Sequence, residues 1–311
     1  MVHYYIQRAL LLAVCLINVG CAITYHDVKH LPTHIETNNS KNIEVALVLS
    51  GAGSKAISHA GVIAALEKHD IPIDLIVGSS AGSIVGLFYA DAKDINAVKK
   101  ALLDTSRKNI IDNSTTYTFV SSMVFNSATK LKKFQDYLEK NVKARKFEDL
   151  KIPLLVVATD VDSGNRVVYN SGPVIPAVLA SSSIPGIFEP VKMDDIILID
   201  GAVSAPVPVM HAKRLNPKII IAVNATSPLD GEVINTSTSL LYRAYSISYY
   251  ELAKIEASFA DVIITPDIAR FNWLNDFDIE DKEALFQEGF IATEKVIKEL
   301  KIKLSKARLR G

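Results

Sequence analysis

Two cysteines, Cys15 and Cys21, are all that 311 residues contain. Both fall near the start, so a cut before Cys21 leaves a single thiol and no internal disulfide. The fold must then rest on its core, even in an oxidising compartment. Net charge is absent too: 34 Lys and Arg balance 34 Asp and Glu. Without a basic excess there is little to neutralise a phosphate backbone, which argues against nucleic acid as the main partner. No repeat or low-complexity tract interrupts the chain, and residues 43–311 hold no linker. Metal-ligand spacing is also missing. His26, His30 and His34 recur every fourth residue, but Pro32 opposes the helix that would align them. What is present is 49% hydrophobic content, enough for a full core in one large domain or two small ones.

Residues 1–21 read differently from the rest. An apolar run over 9–19 is too short for a bilayer, which takes roughly 20 residues, and it is expected to be a secretory signal. It ends in Val19-Gly20-Cys21, which resembles the lipobox of bacterial lipoproteins, although Asn18 stands where an apolar residue is usual. The resemblance implies lipidation at Cys21, and a site in the bacterial cell envelope, facing the periplasm and held at a membrane surface by acyl chains. A signal cut without lipidation and an uncleaved anchor are the other readings. Residues 22–42 turn polar and read as a tether.

From residue 43 to 311 the chain reads as one domain centred on residues 73–90, IDLIVGSSAGSIVGLFYA. A short apolar strand runs into Gly78-Ser79-Ser80-Ala81-Gly82 and then an apolar helix. This G-x-S-x-G elbow lifts one serine hydroxyl clear of the backbone, and small neighbours make the sharp turn sterically feasible. Ser80 is the candidate nucleophile, supported by Gly78 and Gly82; the plainer reading is a packing turn without chemistry. Upstream, residues 44–50 form the unbroken apolar run of a buried parallel strand. Gly51-Ala52-Gly53-Ser54-Lys55-Ala56 follows, and then a helix to residue 68. Strand, helix, strand, helix in immediate succession predicts an α/β fold with a mostly parallel central sheet. Catalytic loops should gather at its strands' carboxyl ends.

Beyond the elbow, residues 94–141 read mostly helical, with irregular patches at 113–116 and 121–122, an insertion suited to wall a cleft. Residues 154–159 give a strand, 160–172 carry hairpin chemistry, and 173–183 read as a short small-residue helix. Residues 196–199 read as a buried strand ending at Asp200-Gly201. Strands at 218–224 and 261–265 surround a helix near 237–258. A last helix, over 279–304, ends in lysines and arginines that read as a solvated face.

A serine hydroxyl is protonated at neutral pH and needs a base within hydrogen-bond reach, together with donors for the oxyanion. Asp200 supplies a carboxylate freed by Gly201 for close approach. The loop of Gly51, Ala52, Gly53, Ser54 and Lys55 supplies backbone N–H groups at a helix N-terminus, where the helix dipole favours negative charge. A free aspartate, with a pKa of about 3.9, is a weak base, so Asp200 is expected to be buried and bonded to Ser80.

These pieces, in this order, resemble the patatin-like phospholipase family: SGAGSKA at 50–56, GSSAG at 78–82, ASSSIPGIFEP at 180–190 and DGA at 200–202. The resemblance implies a three-layer α/β/α fold and a serine acyl hydrolase acting on phospholipid, lysophospholipid or other lipid esters. It implies Ser80 as nucleophile, Asp200 as base without histidine, the Gly51 loop as oxyanion hole, Lys55 in the family's basic position, and neither cofactor nor calcium. Ala52 and Ala56 depart from the family's glycines. If the turn there needs positive φ, each costs about 1 kcal/mol.

Three other readings stand beside this one. Ser80, Asp200 and His211 follow the order of an α/β-hydrolase triad. Gly51-x-Gly53-x-x-Ala56 also meets a loose dinucleotide-binding pattern, but the acidic residues Asp70 and Asp74 precede the second strand rather than end it. A catalytically silent, membrane-anchored binding protein of the same fold is the third. His59 and His69 read as packing or surface residues.

Overall fold

The computed structural model of the chain describes residues 25–28, 43–111, 129–226, 234–272 and 275–309. Cys21 with the expected signal, His30, His34 and both irregular patches lie outside the described residues. The elements begin with β1 (His26–Val28), β2 (Val45–Leu49), α1 (Ile57–Lys68), β3 (Leu75–Ser79) and α2 (Ala81–Ala92). Next come α3 (Ile95–Leu103), α4 (Arg107–Ile110), α5 (Lys132–Asn141), β4 (Leu154–Asp160) and β5 (Arg166–Tyr169). Then follow α6 (Val174–Ser181), β6 (Val191–Met193), β7 (Ile196–Asp200), α7 (Val209–Lys213) and β8 (Ile219–Val223). The chain closes with α8 (Ser237–Ala257), β9 (Val262–Ile264) and α9 (Ile279–Leu309).

Among the described residues, nine strands form one sheet in the order β1-β6-β7-β4-β3-β2-β8-β9, with β5 paired to β4. The pairs β4–β3, β3–β2, β2–β8 and β8–β9 are parallel; β5 and β7 run antiparallel to β4, and β6 to β7. Alternate side chains leave a strand on opposite faces. In β2, Val45, Leu47 and Leu49 enter one apolar cluster with Ile76, Val156 and Ile221. Ala46 and Val48 enter a second with Val77, Val157 and Ile220. Helices α1, α2 and α9 fill the first cluster; α7 and α8 fill the second through Val209, Ala212, Ala253 and Ala257. The result is three layers, and burial on both faces explains the unbroken apolar strands.

Two segments differ from expectation. Residues 26–28, taken as part of a tether, form edge strand β1 beside β6. Strand β7 is only partly buried at Ile196, Ile197 and Ile199, because it joins β4 at that strand's end alone. That end positions the site. Strand β3 runs along β4 until Ser79 faces Val157, and β7 runs the other way until Asp200 faces Ala158. The carboxyl ends of two opposed strands therefore meet on adjacent residues of a third. No helix among the described residues is long and apolar enough to cross a membrane.

Candidate active site

Ser80 caps α2 with φ 52° and ψ −128°, a left-handed conformation rare for a residue with a Cβ and typical of strain held at a functional turn. Close packing enforces it. A Cβ on Gly78 would lie 2.6 Å from Ser83 Cα, and one on Gly82 would lie 2.3 Å from the Leu49 carbonyl oxygen. The Ser80 N–H donates to Ser181 Oγ at 2.9 Å, and its carbonyl accepts from Ser83 Oγ at 2.7 Å. With its backbone held on both sides, the side chain has one direction left. Ser80 Oγ donates to Asp200 Oδ2 at 2.6 Å, the length of a charge-assisted O–H···O bond.

Asp200 is 3% exposed. Its other oxygen accepts from Ala202 N at 2.8 Å, its N–H donates to Ser183 O at 3.0 Å, and its carbonyl accepts from Thr159 Oγ1 at 2.9 Å. Burial pushes its carboxyl up to about 7, against the Ser80 and Ala202 hydrogen bonds that favour the charged form. A carboxyl near 7 is a far better proton acceptor than a free aspartate. Ser181 and Ser183 thus brace the serine and the aspartate from one helix end. The serine run at 181–183 was visible in the sequence, but its role was not.

The glycine loop differs from expectation in an informative way. Gly51 N–H donates to Pro206 O at 3.0 Å, so it is spent and Gly51 cannot serve as an oxyanion donor. Its carbonyl accepts from Tyr249 Oη at 2.9 Å and Ser50 Oγ at 3.0 Å. The Ser50 carbonyl in turn takes His59 Nε2 at 2.9 Å. His59 is wholly buried, which lowers its ring to about 4 and keeps it neutral. It packs in the interior, as one of its two readings had it, and it also braces the loop. With the Gly51 carbonyl held, the Ala52 N–H on the same peptide plane is aimed the opposite way. The Ala52 and Gly53 N–H groups begin the short 3-10 helix Gly53–Ala56, where a turn of aligned donors favours an anion.

Ala52 has φ −146° and Ala56 has φ −45°; the one positive φ in the loop, 57°, belongs to Gly53. Neither alanine carries the expected strain, so neither gives ground for a silent site. Ser54 is exposed at the pocket, and Lys55 is buried, which lowers its ammonium to about 8.

A cavity of about 190 Å³ opens beside Ser80, Gly53 and Ser54, and its walls are chiefly apolar, including Ile84, Leu102, Ile111, Phe134, Phe188 and Phe277. His211 has no part in it. It lies buried on α7, and among the described residues neither ring nitrogen has a hydrogen-bond partner. Ser80 instead bonds Asp200 directly. The dinucleotide pattern fails as well: β3 ends in buried Ser79, and Asp74 accepts from Glu44 N and Val45 N at 2.9 and 3.0 Å. Among the described residues no three His, Cys, Asp or Glu side chains gather as metal ligands.

Fold and site together define an α/β protein built around a serine elbow, with a buried carboxylate beneath an apolar cavity. The chain belongs to the patatin-like phospholipase family, whose sequence model matches residues 47–213. Lysophospholipase NTE1 of Debaryomyces hansenii is 33% identical over 201 residues, 64% of this chain and 13% of that protein. Human patatin-like phospholipase domain-containing protein 6 is 28% identical over 230 residues, 72% of this chain and 16% of that protein. This chain thus spans a small part of either relative. The crystal structure of VipD from Legionella pneumophila shares the fold, with a TM-score of 0.55 and 14% identity over 83% of this chain and 67% of that one.

Proposed function

We propose that this protein is a serine acyl hydrolase that cleaves phospholipid or lysophospholipid acyl esters through an acyl-enzyme on Ser80. The observation that carries the reading is the 2.6 Å bond from Ser80 Oγ to Asp200 Oδ2 at the floor of an apolar cavity. Ser80 Oγ attacks the ester carbonyl as its proton passes to Asp200, and the oxyanion is received by the Ala52 and Gly53 N–H groups. The carbon–oxygen bond to the alcohol then breaks, and the departing oxygen takes the proton back from Asp200. Water, deprotonated by Asp200, attacks the acyl-enzyme; the bond from the acyl carbon to Ser80 Oγ breaks, Oγ takes the proton back from Asp200, and the fatty acid is freed. The cavity holds the acyl chain, whose burial supplies binding in proportion to apolar area.

A fluorophosphonate probe tests this directly. Wild-type protein should be labelled at Ser80 and should release fatty acid from lysophosphatidylcholine, and Ser80→Ala should lose both. Labelling or release that survives in Ser80→Ala sinks the proposal.

Tyr249 adds a second expectation. Its hydroxyl fixes the Gly51–Ala52 peptide and Tyr249 does not line the cavity beside Ser80, so it is a positioning residue. Tyr249→Phe should lower kcat roughly tenfold with KM nearly unchanged. Deleting an oxyanion donor itself costs about a hundredfold or more; here Ser50 Oγ still holds the carbonyl. A KM effect alone would mean the hydroxyl serves binding instead.

A further inference from the structure

Helix α8 has two unlike faces. Inward, Ala253, Glu256 and Ala257 are buried, and Tyr249 reaches the Gly51 carbonyl at 2.9 Å. Outward, Leu240, Leu241, Tyr245 and Ile247 are 58%, 59%, 39% and 44% exposed, and Ile255 is 57% exposed. At about 100° per residue, 3.6 to the turn, these five span about 160° of the helix, with Leu240 and Ile247 opposite Tyr249 and Tyr245 at the edge beside it. Over residues 234–250 the one charged side chain is Arg243; the half of the helix that carries Ile255 adds exposed Glu251, paired with Lys254 at 3.2 Å. Helix α9 also exposes Ile279, Ile291, Ile302 and Leu309, but singly along its 31 residues and among exposed Glu280, Lys295, Lys298, Glu299 and Lys301. A helix that faced only water would be expected to look like α9; an apolar stripe of this kind marks an interaction surface.

The stripe is continuous with the candidate active site. Tyr245 stacks on Tyr249 with ring centroids 6.1 Å apart, and Tyr249 in turn holds the Gly51 carbonyl of the glycine loop beside Ser80. A tyrosine at the edge of an apolar helix face suits the boundary between headgroups and acyl chains.

We propose that the outer face of α8 docks on the surface of a phospholipid layer and sets the mouth of the Ser80 site against it. The identity of the occupant rests on the lipid-ester reading above; the exposed stripe does not. Leu240, Leu241 and Ile247 enter the acyl boundary, and Tyr245 lies at the rim between lipid and site. A lipid ester then reaches Ser80 from the layer without first dissolving in water.

The test uses the full chain in a Cys21→Ser background, so that no acyl chain on that residue contributes. Binding to vesicles of phosphatidylcholine and phosphatidylglycerol is compared between this protein and the same protein with Leu240→Gln, Leu241→Gln and Ile247→Gln. The triple substitution should weaken vesicle binding by about tenfold or more and leave hydrolysis of dissolved p-nitrophenyl butyrate unchanged, which also reports an intact fold. Adding Ser80→Ala should leave vesicle binding intact and abolish hydrolysis, so a failure of the catalytic reading shows separately. Equal vesicle binding with and without the triple substitution overturns the proposal. So does a dimer that the substitutions convert to monomer without lipid, which would assign the face to a second copy of the chain.

Discussion

Asp200→Asn is expected to lower kcat about ten-thousandfold on either a lysophospholipid or a dissolved ester, with KM little changed. Asparagine keeps the shape of the side chain and can still accept from Ala202 N. It cannot take the Ser80 proton, and among the described residues the Ser80 hydroxyl donates to Asp200 alone. Ser80→Ala should fall at least as far. The double variant should be hardly worse than either single one, because the two groups act as a unit and their losses do not add. If Asp200→Asn keeps more than about a tenth of the activity, well above the loss expected for a missing base, another group is the base.

The same carboxyl links activity and stability to pH in opposite directions. Burial raises Asp200 to about 7, and the working form is the carboxylate, so kcat/KM should climb with pH and level off above about 7. For stability, the folded state holds a proton on Asp200 that the unfolded chain, with an aspartate near 3.9, has already lost across about pH 4 to 7. The folded state therefore loses stability as pH rises through that window. Asp200→Asn removes this dependence, so its advantage in Tm over wild type should be largest at pH 8 and absent at pH 4. Glu256, also buried and raised to about 7, has the same sign in both proteins and cancels in the difference. A variant less stable than wild type at pH 8 would show that the ionised carboxylate, with its two hydrogen bonds, stabilises the fold. Catalytic groups held in costly states commonly trade stability for activity in this way.

The parts of this site that the sequence revealed are those whose physics is local. Leu75–Ser79 and the turn after it announce themselves because apolar runs, small residues and a serine must stand next to one another for an elbow to form. Helix α8 was likewise legible to within a residue at its C-terminal end. What could not be read depends on pairing across the chain. That Ser79 and Asp200 stop on adjacent residues of β4 follows from strand register, which no local pattern encodes. Tyr249 lies 198 residues from Gly51, outside the matched family segment, and a tyrosine in a helix carries no sign of the carbonyl it will meet. His59 packs in the interior as one of its readings had it, but its partner, the Ser50 carbonyl, becomes visible only once α1 folds back beside β2. The condition for strain at Ala52, a positive φ, is not met, since Ala52 has φ −146°. The loop needs its positive φ at Gly53, one residue further on.

Gly201→Ala should be the most damaging change that leaves every polar group of the site in place. The position needs space rather than an unusual φ: a Cβ there would fall 1.9 Å from the Val157 carbonyl oxygen and 2.8 Å from Ser79 Oγ. Neither neighbour can yield freely, since Val157 lies in central strand β4 between β3 and β5, and Ser79 enters the strained elbow. Overpacking of this kind costs about 3 kcal/mol, or roughly 6 to 12 °C in Tm for a domain of this class. The loss of activity should be out of proportion to that, about a hundredfold measured well below Tm. Relief of the clash must move Asp200 or Ser80, and a displacement of about 1 Å is enough to break a productive alignment. Gly164→Ala supplies the contrast. Gly164 has φ 68°, and a methyl group added there would meet nothing within 4 Å, so the substitution should cost about 1 kcal/mol through backbone strain and leave kcat untouched. If the two variants lose activity equally, the tight packing of Gly201 is not what sets the Ser80–Asp200 distance.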